Sequence, residues 1–214
     1  MEYKVLDLGL IDYDVAYEVQ KDCVKDVIKG GAQCLIFCQH PLVLTMGRLA
    51  SDDYVIASEE ELQRQNVTVH HIDRGGEVTL HTPGQMVVYP ILDLNYFKKD
   101  LHHYMYQLEE VVIDLLGEFD IVARREKNNT GVWIDQKKLA SIGIGVKKWV
   151  TFHGVGVNVN TNLDDFKLIK PCGLNVMMTS IADVLQSMVD HNKAQDLFIH
   201  SFNKIFETNF IKES

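Results

Sequence analysis

Between residues 121 and 160 β-branched residues and glycine crowd together, and KKLASIGIGVKKWV followed directly by TFHGVGVNVNT reads as a hairpin or two adjacent strands. The glycines leave room beside that backbone for something other than a side chain. Around this stretch, strand and helix character alternate with no linker rich in Pro, Gly or Ser, so one domain over 1–214 is expected. Residues 3–10 read as a strand. Asp12 or Asp14 caps a helix whose Ala16, Val19, Cys23, Val27 and Ile28 keep helical spacing, and Gly30-Gly31 ends it. Residues 33–39 read as a buried strand with Cys34 and Cys38 on one face, and further strands are expected at 67–72 and 85–92. The most regular helix spans 99–118, with Leu101, Tyr104, Met105, Leu108, Val111, Val112, Leu115 and Leu116 on one stripe. Two short helices close the chain, the first opened by Ser180, the second carrying Ala194, Leu197, Phe198, Phe202, Ile205 and Phe206. Helices flanking a mixed sheet give an α+β or α/β class.

Composition excludes several alternatives. In 214 residues, 46% hydrophobic and 24% charged is ordinary for a globular core and leaves no case for disorder. The formal charge, 21 − 30 = −9, supplies no global basic field for nucleic acid or an anionic membrane. Four cysteines, at 23, 34, 38 and 172, are too scattered for a disulfide scaffold, and no apolar window reaches the length of a membrane span. A reducing, cytoplasmic setting is expected.

The densest cluster of special residues, RGGEVTLHTPGQ over 74–85, joins two expected strands. Paired glycines admit a ligand close to backbone, Pro83-Gly84 suits a tight turn, and Arg74, Thr79, His81 and Gln85 bring polar groups to one connection. An ordinary hairpin loop is the alternative. Neither a phosphate loop nor a dinucleotide fingerprint is present. Cys172, between Pro171 and Gly173, is placed on a loop, whereas the other three cysteines sit at apolar positions. Of Lys137 and Lys138, alternation puts only one on an inner face, and a lysine reaching Cys172 would favour its thiolate. Solvated surface is the plainer reading of that pair. Adjacent His70-His71 and His102-His103 have no metal-ligand spacing, so no metal is expected, while His153 suits core or rim equally.

RGGEVTLHTPGQMVVYP, GVWIDQKKLASIGIGV, TFHGVGVNVN and IKPCG, in this order, resemble the lipoyl(octanoyl) transferases over about residues 35 to 175. The resemblance implies the α+β fold of the biotin/lipoate protein ligase superfamily, a mixed sheet flanked by helices. It implies transfer of an octanoyl or lipoyl group from acyl carrier protein to a lysine of lipoyl domains, in 2-oxoacid dehydrogenase E2 subunits and glycine cleavage H protein. By resemblance Cys172 is the acyl-accepting nucleophile and Lys138 its activator and acid/base, with no cofactor and no ATP. Arg74, Gly75, Gly76, Glu77, Val78, Thr79, Leu80 and His81, together with Ser141, Ile142, Gly143, Gly154, Val155 and Gly156, correspond to the substrate-binding segments. The family has an aromatic residue where this chain has Leu80 and glycine where it has Thr82, differences that bear on the width of the acyl pocket. An ATP-dependent lipoate-protein ligase and a lipoyl amidotransferase of the same superfamily are the rival readings; the Pro171-Cys172-Gly173 triplet favours the transferase.

Charge is unevenly spread. Residues 121–150 hold seven basic residues against Glu126 and Asp135, 7 − 2 = +5, which leaves −9 − 5 = −14 for the others. A basic rim around Lys138 that docks acidic partners is therefore expected, with Arg124 and Lys148 in it.

Overall fold

The computed structural model describes residues 1–127, 129–170 and 176–212. In chain order the elements are β1 (Tyr3–Leu10), α1 (Tyr13–Ile28), β2 (Gln33–Gln39), β3 (Val43–Met46), α2 (Glu59–Arg64), β4 (Thr68–His71), β5 (Val78–His81) and β6 (Gln85–Ile91). They continue with α3 (Leu101–Gly117), β7 (Arg124–Glu126), β8 (Asn129–Ile134), β9 (Lys137–Lys147), β10 (Val150–Asn158), β11 (Met177–Met178), α4 (Ile181–Leu185) and α5 (His191–Phe206).

The large sheet runs β1-β2-β6-β10-β9-β8-β7, with β11 added in parallel beside β9. β1 and β2 are parallel, joined through α1, and the pairs from β2 to β7 are antiparallel. Period-two alternation explains why β2 and β6 are apolar throughout. Leu35, Phe37, Met86 and Val88 face a core shared with α3 and α5, while Cys34, Ile36, Cys38, Val87, Tyr89 and Ile91 face α1. The sheet is thus the middle of three layers. Asp100, Ser180 and Asp190 cap α3, α4 and α5 through their side chains. Asp12 takes the N-cap position of α1 without a side-chain bond. Among the described residues no helix is long and apolar enough to cross a membrane.

Three features depart from the sequence expectation. Leu101, assigned to the apolar stripe, is the first residue of α3 and is exposed. The last helix is not short, with 16 residues packed along α3. Most important for the site, a second sheet of order β4-β3-β5 stands beside β9 and β10, in the middle of the large one. Its apolar face gathers Leu44, Met46, Val78 and Leu80 with Leu62, Phe166, Leu168 and Ile169. β4 matches the strand expected at 67–72, whereas the four-residue β3 and β5 carry too little periodicity to be read individually. The 72–77 connection ties the two sheets together, since Gly75 N donates to Ile144 O at 2.9 Å and Gly47 N to Glu77 O at 2.9 Å.

Aromatic rings stack along α5 and onto the segment that follows it. Phe202 is fully buried, stacked on Phe206 at 4.3 Å and edge-on to Phe210 at 5.7 Å. Phe202→Ala is expected to destabilise the protein by about 3–5 kcal/mol, read as a lower denaturation midpoint at unchanged slope.

Candidate active site

Between the two sheets lies a cavity of about 540 Å³, within the range of small-molecule pockets. Segments far apart in sequence line it. The loop side gives Arg74, Gly75, Gly76, Glu77, Val78, Thr79 and His81, and the large sheet gives Lys138, Ser141, Ile142 and Gly143 from β9 with Gly154, Val155 and Gly156 from β10. Leu80 is the exception, a correction to its assignment. Its side chain turns away into the apolar cluster of the small sheet, while Thr79 and His81, its neighbours on β5, meet the cavity. The difference from the family at Leu80 therefore leaves the cavity wall unaltered. Thr82 donates to Asp165 Oδ2 at 2.5 Å and is likewise outside the lining.

The glycines form the floor. Gly143 and Gly154 are cross-strand partners, and Gly156 faces Ser141 on one side and Val87 on the other. A Cβ on Gly143 would come 2.9 Å from Arg74 Cδ, so the missing side chain is what lets Arg74 lie against β9. Arg74 is buried. Its guanidinium donates to Thr45 O at 2.7 Å, to Thr45 Oγ1 at 3.1 Å and to Gly75 O at 3.0 Å, clasping the loop to β3.

Lys138 reaches the cavity through a defect in the ladder. Val132 pairs with Ala140, but the next residue, Trp133, pairs with Lys138, so two steps of β9 oppose one of β8. Strict alternation would aim Lys138 into the core beside Ala140 and Ile144. With the extra residue, Leu139 joins Ala140 in that core, and Lys138 faces the cavity with Ser141 and Gly143. It is only 1% exposed, whereas Lys137 is exposed, which settles the pair against the reading of two solvated lysines. The Lys138 ammonium lies 5.5 Å from the Trp133 ring centroid. Its stem needs Gly131, where a Cβ would sit 2.6 Å from Lys138 Cε and 3.2 Å from Nζ. Gly131 is fixed in turn by its N–H, which donates to Glu109 Oε1 at 2.8 Å, and Glu109 Oε2 pairs with Arg125 at 3.1 Å.

Cys172 lies outside the described residues. On its near sides, Lys170 N donates to Tyr54 O at 2.7 Å, and Met177 and Met178 pair with Lys137 and Lys138. Cys34 and Cys38 are buried as expected; contact with Cys23 and burial raise the first thiol, and burial raises the second.

His81, Gln85 and His153, named in the sequence reading, are joined by polar residues that it passed over. Gln85 Nε2 donates to Asn158 Oδ1 at 3.0 Å, so Gln85 Oε1 faces His81 Nδ1 at 2.7 Å. His81 Nδ1 therefore carries the proton and Nε2 is left as an acceptor. His153, buried with φ 56°, contacts Asp73 Oδ1 at 3.0 Å and stacks on Tyr17, whose hydroxyl donates to the same oxygen. Tyr13 and Tyr89 also line the space. Tyr89 donates to His40 Nε2 at 2.7 Å, because His40 Nδ1 is committed to Ile11 O. Burial pushes His81 down to about 3 and His153 down to about 4, the latter against the opposing pull of Asp73. Among the described residues no group of His, Cys, Asp or Glu is arranged to hold a metal.

The basic rim expected around Lys138 does not form there. Arg124 pairs with Glu126, Arg125 lies between Glu109 and Glu110, and Lys137 is 3.9 Å from Asp183. Carboxylates from α3 and α4, invisible in a local charge count, offset Arg125 and Lys137.

Neutral burial of His81 and His153 has a signed consequence. Their folded values lie below the ordinary 6.5, so only the unfolded chain takes up these protons as pH falls. Stability is fully present above pH 6.5 and declines below it, by about 1.4 kcal/mol per pH unit for each ring. The thermal midpoint is expected to drop between pH 7 and pH 4.5, less steeply in His81→Gln; equal slopes would contradict the assignment.

Residues 12–203 match the family model of the lipoyl protein ligase A/B catalytic domain. The octanoyltransferase of Clostridium kluyveri is 39% identical over 205 residues, 95% of this chain and 88% of its own length. That of Geotalea uraniireducens is 43% identical over 171 residues, 79% of this chain and 77% of its own. Among solved structures, lipoate-protein ligase A bound with ATP superposes with a TM-score of 0.76 at 17% identity, covering 100% of this chain and 90% of that one. Biotin protein ligase from Aquifex aeolicus gives 0.57 at 12% identity, covering 97% and 70%. The structural likenesses establish the shared α+β fold, and with the family match and the close relatives they mean that this chain belongs to the lipoyl protein ligase A/B catalytic-domain family, beside its octanoyltransferases.

Proposed function

We propose that this acyltransferase moves an octanoyl or lipoyl group from acyl carrier protein to a lysine of lipoyl domains, through a thioester on Cys172 and without ATP. The observation that carries the reading is Lys138, a buried lysine turned by a β-bulge into a glycine-floored cavity, in a chain 39% identical to an octanoyltransferase. Burying the seven-carbon tail of an octanoyl group in such a space contributes about 5–6 kcal/mol. That anchors the chain while its carbonyl reacts near Lys138.

Cysteine suits the first step, because a free thiol is only a few per cent ionised at pH 7 and an amine beside it raises that fraction. The Lys138 amine takes the thiol proton. Cys172 sulfur then attacks the donor carbonyl, the bond to the phosphopantetheine sulfur breaks, and the Lys138 ammonium returns the proton to that leaving thiolate. One thioester replaces another at little free-energy difference, so no nucleotide is consumed. In the second step the acceptor amine attacks the Cys172 thioester, an amide forms, Lys138 takes the surplus proton, and the cysteine thiolate leaves. The short path along the chain from Met178, which pairs with Lys138, back to Cys172 supports a common site.

Incubation with octanoyl carrier protein is expected to add one octanoyl group, at Cys172, removable by hydroxylamine and formed equally well without ATP. Cys172→Ala should lose adduct and transfer, and Cys23→Ser should keep both. Transfer by Cys172→Ala, or an absolute need for ATP with free octanoate, would overturn the mechanism. Gly131 has φ 134°, and a Cβ there would meet Ala140 O at 2.4 Å as well as the Lys138 stem, so Gly131→Ala is expected to shift β8 against β9, lowering the thermal midpoint and reducing kcat about tenfold to a hundredfold with KM little changed. A proportionate rise in KM instead would place Gly131 in substrate binding.

A further inference from the structure

His153 faces the side of the sheet that alternation denies it. Along β10, Val155 and Val157 face the core shared with α3 and α5, and regular alternation sends residue 153 there with them. Instead His153 adopts φ 56°, in the left-handed region that disfavours any residue with a Cβ. Its ring stands on the opposite side, stacked on Tyr17 of α1 with centroids 5.4 Å apart. The ladder itself is undisturbed, since Phe152, His153 and Gly154 pair in turn with Gly145, Ile144 and Gly143. The turned backbone is held by its N–H, which donates to Gln20 Oε1 at 2.8 Å, and the ring by Nε2, which donates to Asp73 Oδ1 at 3.0 Å. Strain kept at one residue to bring one ring into a cavity points to a use for that ring.

Position indicates the use. The Lys138 stem leans along the sheet, with Nζ 3.2 Å from where a Gly131 Cβ would be, and Gly131, next to the Val132 that pairs with Ala140, stands opposite Ser141. From Ser141 to Ile144, the partner of His153, is about 10 Å at strand spacing. The floor between is bare, with Gly156 opposite Ser141 and Gly154 opposite Gly143. An extended eight-carbon acyl chain is roughly 9 Å long, so with its carbonyl beside the Lys138 ammonium it ends at the level of the His153 ring. A dodecanoyl chain, at roughly 14 Å, would run through that ring. On the far side lies the surface: His153 is 2% exposed, whereas Asp73, which holds it, keeps 55% of its side chain in solvent.

We propose that His153, held by Asp73, is the end stop of the cavity and limits the acyl group to eight carbons, an inference that rests on the acyl transfer proposed above. The imidazole acts by its bulk. Asp73 is a positioning residue: its Oδ1 accepts from both His153 Nε2 and the Tyr17 hydroxyl, each at 3.0 Å, so the ring is not free to swing aside for a longer tail. A tail that did pass the ring would have to strip water from the Asp73 carboxylate, which favours the shorter chain a second time.

The test compares wild type with His153→Gly, His153→Phe and Asp73→Ala, using carrier protein loaded with octanoyl or dodecanoyl groups as donor and a lipoyl domain as acceptor. Glycine adopts φ 56° without strain, and the ratio of kcat/KM for dodecanoyl over octanoyl is read within each preparation, so any loss of folded protein cancels. His153→Gly is expected to raise that ratio about thirtyfold as the added methylenes find room, and Asp73→Ala about fivefold. His153→Phe, which restores the bulk, should leave the ratio at or below the wild-type value. An unchanged ratio in His153→Gly, an equal rise in His153→Phe, or a wild-type enzyme that takes both chains equally well would overturn the proposal. A wild-type enzyme that transfers no octanoyl group from the carrier would instead overturn the acyl-transfer reading, and this proposal with it.

Discussion

A single extra residue in the ladder between β8 and β9 governs the geometry of the site. A β-strand has only two faces, and in a sheet covered by helices on both sides each face is apolar core. Lys138 in regular register would put an ammonium among Ala140, Ile144 and the apolar residues of α3, at a large desolvation cost. The bulge reverses parity for the start of β9 without altering the rest, so the strand keeps Leu139 and Ala140 inside and presents Lys138 to the cavity. Trp133 below the ammonium, Gly131 beside the stem and β11 along the backbone all depend on that reversal.

The same reasoning explains why the cavity exists at all. Three-layer packing leaves no space at the middle of the sheet, and room appears only where side chains are withheld and another sheet stands off. Gly143, Gly154 and Gly156 withhold them; the small sheet supplies the opposite wall, and Arg74 holds it at a fixed spacing by bonding to Thr45 while lying over Gly143. Arg74, predicted to touch substrate, thus has a structural duty as well. The histidines and tyrosines that line the same cavity are polar in type yet uncharged, since burial keeps both His81 and His153 neutral at ordinary pH. An apolar acyl tail can lie against such rings without stripping water from an ion.

What the sequence made legible was whatever repeats with a period or collects in one segment. The apolar run of β2, the stripe of α3 from Tyr104 to Leu116 and the glycine-rich hairpin were readable because long elements average out exceptions. The residues on the cavity wall were readable because glycine, arginine and histidine cluster in 74–85 and 138–156. The strands β3 and β5 were too short to show a period, so the side to which Leu80 points was hidden. Lys138 was beyond periodicity altogether: alternation could say that one lysine of the pair faces inward, but the bulge that selects a cavity over the core depends on pairing with β8. Asp73, Tyr13 and Tyr89 belong to three separate segments and meet only in the fold, through His153, His81 and His40.

Charge followed the same logic on a larger scale. A segment count of +5 treats residues 121–150 as though they faced solvent alone, but Arg125 is held by two glutamates of α3 and Lys137 approaches Asp183 of α4. Once those neighbours are included, the exposed cations at the far end of the hairpin are Lys147 and Lys148, and even these stand near Asp93, which bridges to Val150.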